Sequence, residues 1–456
     1  MRTEEIIQAI KEIARNKKMK VWLVGGAVRD LILKKREIKD LDFVITEGSA
    51  QELARELASS LSLSPPVVFP RFGTAQLTFN GWKVEFVDAR KESYLEDSRK
   101  PIVERSSLLE DLKRRDFTIN TLVQDLESGK ILDLLGLGLE DIKKKIIRTP
   151  LDPDTTFRDD PLRMLRAVRF ACRLNFEIHS EAKKGIEKNA ELLKLKVSPE
   201  RIKAELDLIV SEENPAKGIL LLDELKILPQ IFPELEEAKG IPQDKVTAKD
   251  LFSHSVQVLQ RISRDSNDLR ERYAALFHDI GKIKAIQEKG EAIVFYGHEE
   301  EGALLAEEIL KRLRFSNEEI EEICFLIRNH MLITQYTPEW SDSAVKRLIR
   351  RLGEKLKSTL RLARADIYGI ESLESNFWHL IGRIQALDQE QVKSISSPLS
   401  GDEIMDLLGI SPGPQVGEIK EEIVEAILEG KIENNKESAI KYLKKKYGNL
   451  TSKEKG

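Results

Sequence analysis

Apolar and charged positions alternate at helical spacing through the start of the chain, so residues 1–20 read as a charged amphipathic helix. Residues 21–24 form a short apolar run that ends at Gly25-Gly26 and predict a strand. Leu41-Asp42-Phe43-Val44-Ile45 predicts a second strand, and residues 51–60 a helix. Residues 73–79 and 83–89 alternate apolar and polar side chains on either side of Asn80-Gly81, a dipeptide that favours a two-residue hairpin turn. Together these elements predict a small mixed α/β unit that ends near residue 146. After Pro153 the spacing turns helical and stays so to the end, with breaks at Ser198-Pro199, near Pro242, at 396–398 and at 411–414. The predicted architecture is an α/β head, a small mixed sheet with helices, followed by an all-α body of several subdomains. No fixed-period repeat and no low-complexity segment interrupts it.

A chain of 456 residues leaves room for roughly three domains at about 150 residues each. Apolar residues make up 41% and charged residues 33%, which suits a soluble globular protein with more than one core. The net charge of −4 does not favour a polyanionic partner overall, so a nucleic acid would need local basic stripes. Three are candidates. One holds Lys183, Lys184, Lys188, Lys194, Lys196, Arg201 and Lys203; another holds Lys346, Arg347, Arg350, Arg351, Lys355 and Lys357. The third is Lys441, Lys444, Lys445 and Lys446. Cys172 and Cys324 both sit in apolar helical stretches and read as reduced core residues, which predicts a cytoplasmic protein. The N-terminal helix lacks the apolar segment of a signal peptide, and no run of about 18 apolar residues predicts a membrane span.

The head carries Gly25-Gly26-Ala27-Val28-Arg29-Asp30, then Lys39-Asp40-Leu41-Asp42. Carboxylates two apart on a strand face the same side, so Asp40 and Asp42 can share the Mg²⁺ ions that phosphoryl transfer uses. Gly25 and Gly26 let backbone N–H groups approach a triphosphate, and Arg29 can add charge. Glu85, on the hairpin strand, is a candidate third carboxylate of that shell.

The segment from Gly25 to Asp42 resembles the first motif of the class II tRNA nucleotidyltransferase and bacterial poly(A) polymerase family, in its HD-domain-containing form. Four further blocks follow in the family's order, so the resemblance covers about residues 20–206. Arg114-Arg115-Asp116-Phe117-Thr118-Ile119-Asn120 resembles the second motif, which implies contacts from Arg115, Asp116 and Asn120 to the incoming nucleotide. Asp133 through Gly136 and Gly138 to Asp141 resembles the flexible third motif. Asp159-Asp160-Pro161-Leu162-Arg163-Met164-Leu165-Arg166 resembles the fourth, which reads the base; the residue before Asp160 is often Glu in the family and is Asp159 here. Ser198-Pro199-Glu200-Arg201 through Glu205 resembles the fifth, a helix support.

Within the fourth block, Asp160 and Arg163 are three apart on a predicted helix and should share a face. A carboxylate only accepts hydrogen bonds and a guanidinium only donates. Cytosine and adenine each present an amino donor beside a ring-nitrogen acceptor, whereas uracil and guanine present the reverse. Such a pair accepts C and A, and a buried mismatch costs roughly 1–3 kcal/mol per unpaired group. Arg166 and Arg169 continue the helix and could hold phosphates.

Four of the six histidines, His254, His278, His298 and His330, fall in one stretch with Asp279 and Asp366. The order H…HD…D, centred on His278-Asp279, resembles the HD phosphohydrolase superfamily. That resemblance implies a metal held by His254, His278, Asp279 and Asp366, with His298 and His330 available for a second ion. Histidine–carboxylate shells suit Mn, Ni, Fe or Zn, and such an ion would activate water against a phosphoester. In the tail, residues 400–408 lead through Gly409-Ile410-Ser411-Pro412-Gly413-Pro414 into a helix whose start can meet an RNA phosphate.

These readings predict a nucleotidyltransferase head at 1–146, a helical neck at 147–206, a connector at 207–245, an HD domain at 246–370 and a tRNA-binding tail at 371–456. The expected activity is addition of C and/or A from CTP and ATP to the 3′ end of tRNA, without template. The expected cofactors are Mg²⁺ in the head and a transition metal in the HD domain; no protein partner is expected. CCA, CC only and A only stay open as products, and the family places much of that choice between Arg90 and Arg114. A poly(A) polymerase is the nearest alternative, though it usually lacks an HD domain. A phosphohydrolase with an inactive head is a third reading. A nucleotide-alarmone synthetase/hydrolase would carry the two modules in the opposite order.

Overall fold

A computed structural model describes residues 2–35, 38–93, 102–243, 250–289, 292–387 and 389–448. The chain divides into two compact units, one running to Glu237 and taking in Arg312–Arg314, the other holding the rest.

In the first unit α1 (Thr3–Asn16) buries Ile6, Ile10 and Ala14, the apolar stripe the spacing predicts. β1 (Lys20–Val24), α2 (Gly26–Ile32), β2 (Asp40–Glu47), α3 (Ala50–Ser60), β3 (Val67–Phe69), β4 (Thr74–Phe79) and β5 (Trp82–Asp88) follow. With β6 (Val123–Asp125) and β7 (Ile131–Leu132) the strands form one mixed sheet, in the order β3-β4-β5-β2-β1-β6-β7. Asn80 and Gly81 both take positive φ, +48° and +79°, which gives the β4–β5 hairpin the twist a tight turn needs. β2 is central: it runs antiparallel to β1 and parallel to β5, and Leu41, Phe43, Val44 and Ile45 are buried on it. Phe43 and Phe86 stack across β2 and β5 with ring centroids 5.4 Å apart. A neck of helices follows, including α4 (Leu162–Leu174), which buries Met164, Leu165, Ala167, Val168 and Ala171, and α5 (Pro199–Val210).

The second unit is built from α6 (Leu251–Ile262), α7 (Leu269–Phe277), α8 (His298–Arg312), α9 (Asn317–Asn329), α10 (Asp342–Leu352), α11 (Leu356–Ile367) and, in the tail, α12 (Pro414–Leu428). One core gathers Val345, Leu348, Ile349, Leu356, Phe377 and Leu380; another, in the tail, gathers Ile404, Ile423, Ala439 and Leu443.

The body is not wholly helical. Ile146–Ile147 pairs in parallel with Glu177–Ile178, and Gln287–Lys289 pairs with Ala292–Val294. Strands of two or three residues are too short to show a period-two alternation, which is why the spacing did not announce them. Of the segment between Arg90 and Arg114, residues 94–101 lie outside the described residues.

Candidate active site

A cleft of about 350 Å³ in the first unit is lined by Asp42, Glu85, Arg114, Arg115, Asp116, Asp160, Arg163, Arg166 and Arg201, among others. Sheet register explains the acidic side. Asp42 lies opposite Val24 on β1 and Glu85 on β5, so both carboxylates stand on one face of the sheet. Asp40 is two residues earlier on the same face but is exposed at the strand start and is not among the lining residues. Gly25 closes the near end with φ +72°, and a Cβ there would lie 3.1 Å from Arg115 Nη1 and 3.4 Å from Asp42 Oδ2. A side chain at that position would therefore intrude on the cleft as well as strain the backbone. Burial pushes the Asp42 carboxyl up to about 6; Arg115 and Lys83 oppose this, while Glu85 and Asp40 add to it. A carboxylate held that reluctantly in its charged form suits a bound cation.

The basic side is already organised by carboxylates. Buried Asp111 holds both Arg114, at 2.6 Å, and Arg115, at 3.3 Å. Asp116 Oδ2 accepts from Arg166 Nε and Nη2 at 2.9 and 2.6 Å, and its Oδ1 accepts from Asn120 at 2.9 Å. Burial works upward on Asp116, but Arg166 and Asn120 outweigh it and hold the carboxyl at about 2. Asn120 in turn accepts from Arg29, which is buried and also paired with Asp30. Arg169 pairs with Glu205 on α5 at 3.1 Å. Thus Arg29, Asn120 and Arg169 stand behind the cleft wall, and Asp116 and Arg166 meet each other in it.

Asp160 and Arg163 both reach the cleft, but not from one helix face. Asp160 has extended backbone (φ −140°, ψ 97°) between helix Pro153–Asp159 and α4, because the proline that follows disfavours helical geometry before it. Arg163 sits in the first turn of α4, where its guanidinium donates to the Arg114 carbonyl at 2.6 Å. Arg201 reaches Asp160 from α5 at 3.3 Å. Asp111 was not singled out by sequence reading, since an ordinary helical acid has no local feature to mark it, and Arg201 and Glu205 were read only as parts of a helix support or a basic stripe.

The second unit gathers the histidines. His254 on α6, His278 and Asp279 after α7, and Asp366 on α11 bring their ligand atoms within 4.8 Å of one another, and so do Asp279, His298 and His330. Asp279 joins the sets: its Oδ2 is 3.2 Å from His278 Nε2, and its Oδ1 is 3.2 and 3.6 Å from the Nε2 atoms of His298 and His330. His254 Nε2 lies 2.9 Å from Asp366. The main chain aims three of the rings. Nδ1 of His278, His298 and His330 each meets the carbonyl three residues earlier, of Ala275, Phe295 and Ile327, at 2.9, 2.8 and 2.6 Å. That turns every Nε2 inward, the way metal-binding imidazoles are oriented by a partner on their other nitrogen. The Nε2 atoms of His298 and His330 are buried and make no hydrogen bond, an arrangement a divalent cation would satisfy. Gly281 permits the approach of α8: a Cβ there would lie 2.1 Å from the His298 carbonyl oxygen. Lys282, missed by the sequence reading although it stands three residues from Asp279, is buried and donates to Asp279 Oδ2 at 2.8 Å. Although burial disfavours its charged form, Asp279 and Asp366 raise His278 to about 10.

A mixed sheet presenting acidic side chains to an arginine-lined cleft, followed by a helical unit with a histidine–aspartate cluster, defines a nucleotidyltransferase joined to an HD module. Comparison with known proteins agrees. Residues 21–148 match the poly A polymerase head domain, 175–239 the probable RNA and SrmB-binding site of polymerase A, and 251–368 the HD domain. The A-adding tRNA nucleotidyltransferase of Deinococcus radiodurans is 31% identical over 90% of this chain and 92% of its own length. The CC-adding tRNA nucleotidyltransferase of Thermus thermophilus is 30% identical over 92% of each. In fold, the chain is similar to the Bacillus stearothermophilus CCA-adding enzyme solved with CTP, at a TM-score of 0.70 and 24% identity over all of both chains. The chain belongs to the tRNA nucleotidyltransferase family. Both domain types typically use divalent metals. Among the described residues no helix is long and apolar enough to cross a membrane.

Proposed function

We propose that this chain adds C and A from CTP and ATP to the 3′ end of tRNA without template, restoring CCA. The observation that carries the reading is the single cleft lined by Asp42, Glu85, Arg115, Asp160 and Arg163. In this reading Asp40 and Asp42, with Glu85 beside them, hold Mg²⁺. The bound cations would activate the attacking 3′-hydroxyl and neutralise the leaving pyrophosphate. Gly25, Gly26 and Arg115 receive the triphosphate. Asp116 positions Arg166 and Asn120, and through Asn120 it steadies Arg29. Arg169, tied to Glu205, braces α4. Asp160 accepts from the amino group of C or A, and Arg163 donates to the adjacent ring nitrogen. Both bases satisfy the pair, so one site serves two nucleotides.

The functional division is then a catalytic head at 1–146, a nucleotide-reading neck at 147–206, a connector at 207–245, an HD phosphohydrolase-type domain at 246–370 and a tRNA-binding tail at 371–456, in a cytoplasmic protein. We assign the HD cluster a second activity, metal-dependent removal of phosphate from RNA 3′ ends. The reason is the pair of buried, inward-turned Nε2 atoms beside a carboxylate shared by both ligand sets. A Mn, Ni, Fe or Zn ion held there would supply Lewis-acid activation of water.

The test uses three tRNAs, ending before CCA, in C and in CC, each incubated with labelled CTP or ATP. All three are expected to be extended to CCA, and Asp42→Ala is expected to extend none. Extension of the CC-ended tRNA alone would assign A addition, and arrest at CC would assign CC addition. Open-ended adenylation of unrelated RNA would assign a poly(A) polymerase. Normal incorporation by the Asp42→Ala protein would reject the head assignment.

A further inference from the structure

A further cavity lies in neither site. It measures about 760 Å³, more than twice the head cleft, and is formed by α10, residues 389–396 and α12. Its lining combines two chemistries. Leu332, Trp340, Leu348 and Ile395 provide an apolar surface with one aromatic ring. Arg347, Arg350, Arg351 and Lys393 provide four basic side chains to the lining, three of them ion-paired with glutamates.

The sequence makes α10 strongly two-sided. It turns Val345, Leu348, Ile349 and Leu352 inward, and its arginines at 347, 350 and 351 share the opposite side. Glutamates steady two of them from α12: Glu425 lies 2.6 Å from Arg347, and Glu421 lies 3.0 Å from Arg350; Lys393 is in turn held by Glu390 at 3.1 Å and Glu354 at 3.3 Å, pairs that a phosphate would share. Arg351 is held through Nε by the side-chain amide of Asn329, at 3.1 Å, rather than by a carboxylate. That leaves the two terminal nitrogens of its fork for a ligand. Trp340 is half-buried and packed edge-on against Tyr336, with centroids 5.5 Å apart, and its carbonyl accepts from Arg383 at 2.6 Å. The ring is therefore fixed in place before any ligand arrives.

We propose that this cavity is a second nucleotide-binding site. A base would lie on Trp340 and the aliphatic floor, and its phosphate oxygens would meet the guanidinium forks and Lys393. A simple apolar ligand would leave the cations unused, and inorganic phosphate would leave the ring unused. The volume falls in the range of small-ligand pockets. The nucleotide could come free from solution or as one residue of an RNA chain.

The experiment uses the full-length protein and two photoreactive probes, 8-azido-ADP and a short single-stranded RNA carrying 8-azidoadenosine. Crosslinked peptides are mapped, and equilibrium dialysis with labelled ADP counts sites. At least one probe is expected to label the peptide that spans Trp340 to Arg351, in addition to any label in the head. Labelling by ADP alone assigns a free nucleotide, and labelling by the RNA alone assigns a residue of the chain. The double variant Arg350→Ala/Arg351→Ala should weaken that labelling at least about tenfold, since charge-assisted hydrogen bonds are lost. Lys393→Gln, at a short surface helix, should weaken it several-fold and serves if the double variant unfolds. Label confined to the head with both probes, or equal labelling of the cavity in folded variants, would overturn the proposal.

Discussion

Asp116 offers the sharpest quantitative test of how the cleft is built. Both of its oxygens are engaged: Oδ1 accepts from the Phe117 backbone and Asn120, and Oδ2 accepts twice from Arg166. Its carboxyl is held at about 2 against an ordinary 3.8. That difference corresponds to roughly 2 kcal/mol, at about 1.4 kcal/mol per pH unit. Because the folded state has the lower value, the contribution is present in full above about pH 4 and is lost as the pH falls through about 2. Asp116→Asn keeps the shape and removes the charge. Arg166 keeps Glu205 at 3.7 Å and is about one-third exposed, so its loss stays below that of a fully buried cation. The expected deficit is roughly 2 kcal/mol at pH 7.

Of the four tryptophans, Trp22 and Trp82 lie in the first unit, and Trp340 and Trp378 in the second. In a Trp340→Phe/Trp378→Phe background, fluorescence during urea unfolding therefore reports the first unit alone. The stability gap between that background and the same protein carrying Asp116→Asn should shrink steadily between pH 4 and pH 2, because a neutral amide has nothing to titrate there. Equal stability at pH 7, or a gap that stays constant down to pH 2, would refute the charge-based account of this wall.

Gly25→Ala should lower nucleotide incorporation at least about tenfold while costing about 1 kcal/mol of stability, because its Cβ would press on Arg115 and Asp42 at positive φ; steady-state kinetics beside a melt checks this. Arg163→Ala should reduce discrimination against UTP and GTP by about 5- to 150-fold, the equivalent of roughly 1–3 kcal/mol; an unchanged profile in competition assays would remove its base-reading role. His278→Ala should lower the divalent metal content measured by mass spectrometry and abolish phosphoesterase activity, while tailing of tRNA continues. Hydrolysis at the unmutated rate would place that activity elsewhere.

Sequence periodicity found the head because its central strands are long and its hairpin turn is strongly encoded. It picked out candidates that lie close in sequence, and of these Asp42, Arg115 and Asp116 line one cleft, while Asp40 is exposed at the strand start and Asn120 stands behind the wall. It did not find the ties that set their geometry. Arg201 meets Asp160 across 41 residues, and Glu205 meets Arg169 across two helices. No spacing rule reaches that far. The conformation of Asp160 was legible in principle, since Pro161 follows it, yet the i,i+3 pattern with Arg163 suggested one continuous helix. The histidine cluster was legible by kind and order, but not the joining role of Asp279, which depends on how α7, α8 and α9 converge.

The two centres solve opposite electrostatic problems. In the head, the arginines are compensated in advance by Asp111, Asp116 and Glu205, so the wall is rigid and close to neutral before a nucleotide enters. Preorganisation of that kind costs no rearrangement when the triphosphate arrives. In the HD cluster, three imidazoles have one nitrogen committed to main-chain carbonyls and the other aimed at carboxylates. Two of those inward nitrogens, 3.2 and 3.6 Å from Asp279 Oδ1, lack hydrogen-bond geometry to it. A buried polar group left in that condition costs about 1–3 kcal/mol, and apolar residues would fill the space without that cost. A helical scaffold kept only for its shape gains nothing from such an arrangement. The burial of these nitrogens around Asp279 therefore supports the proposal of a cation at the HD site on grounds separate from the motif that first drew attention to it.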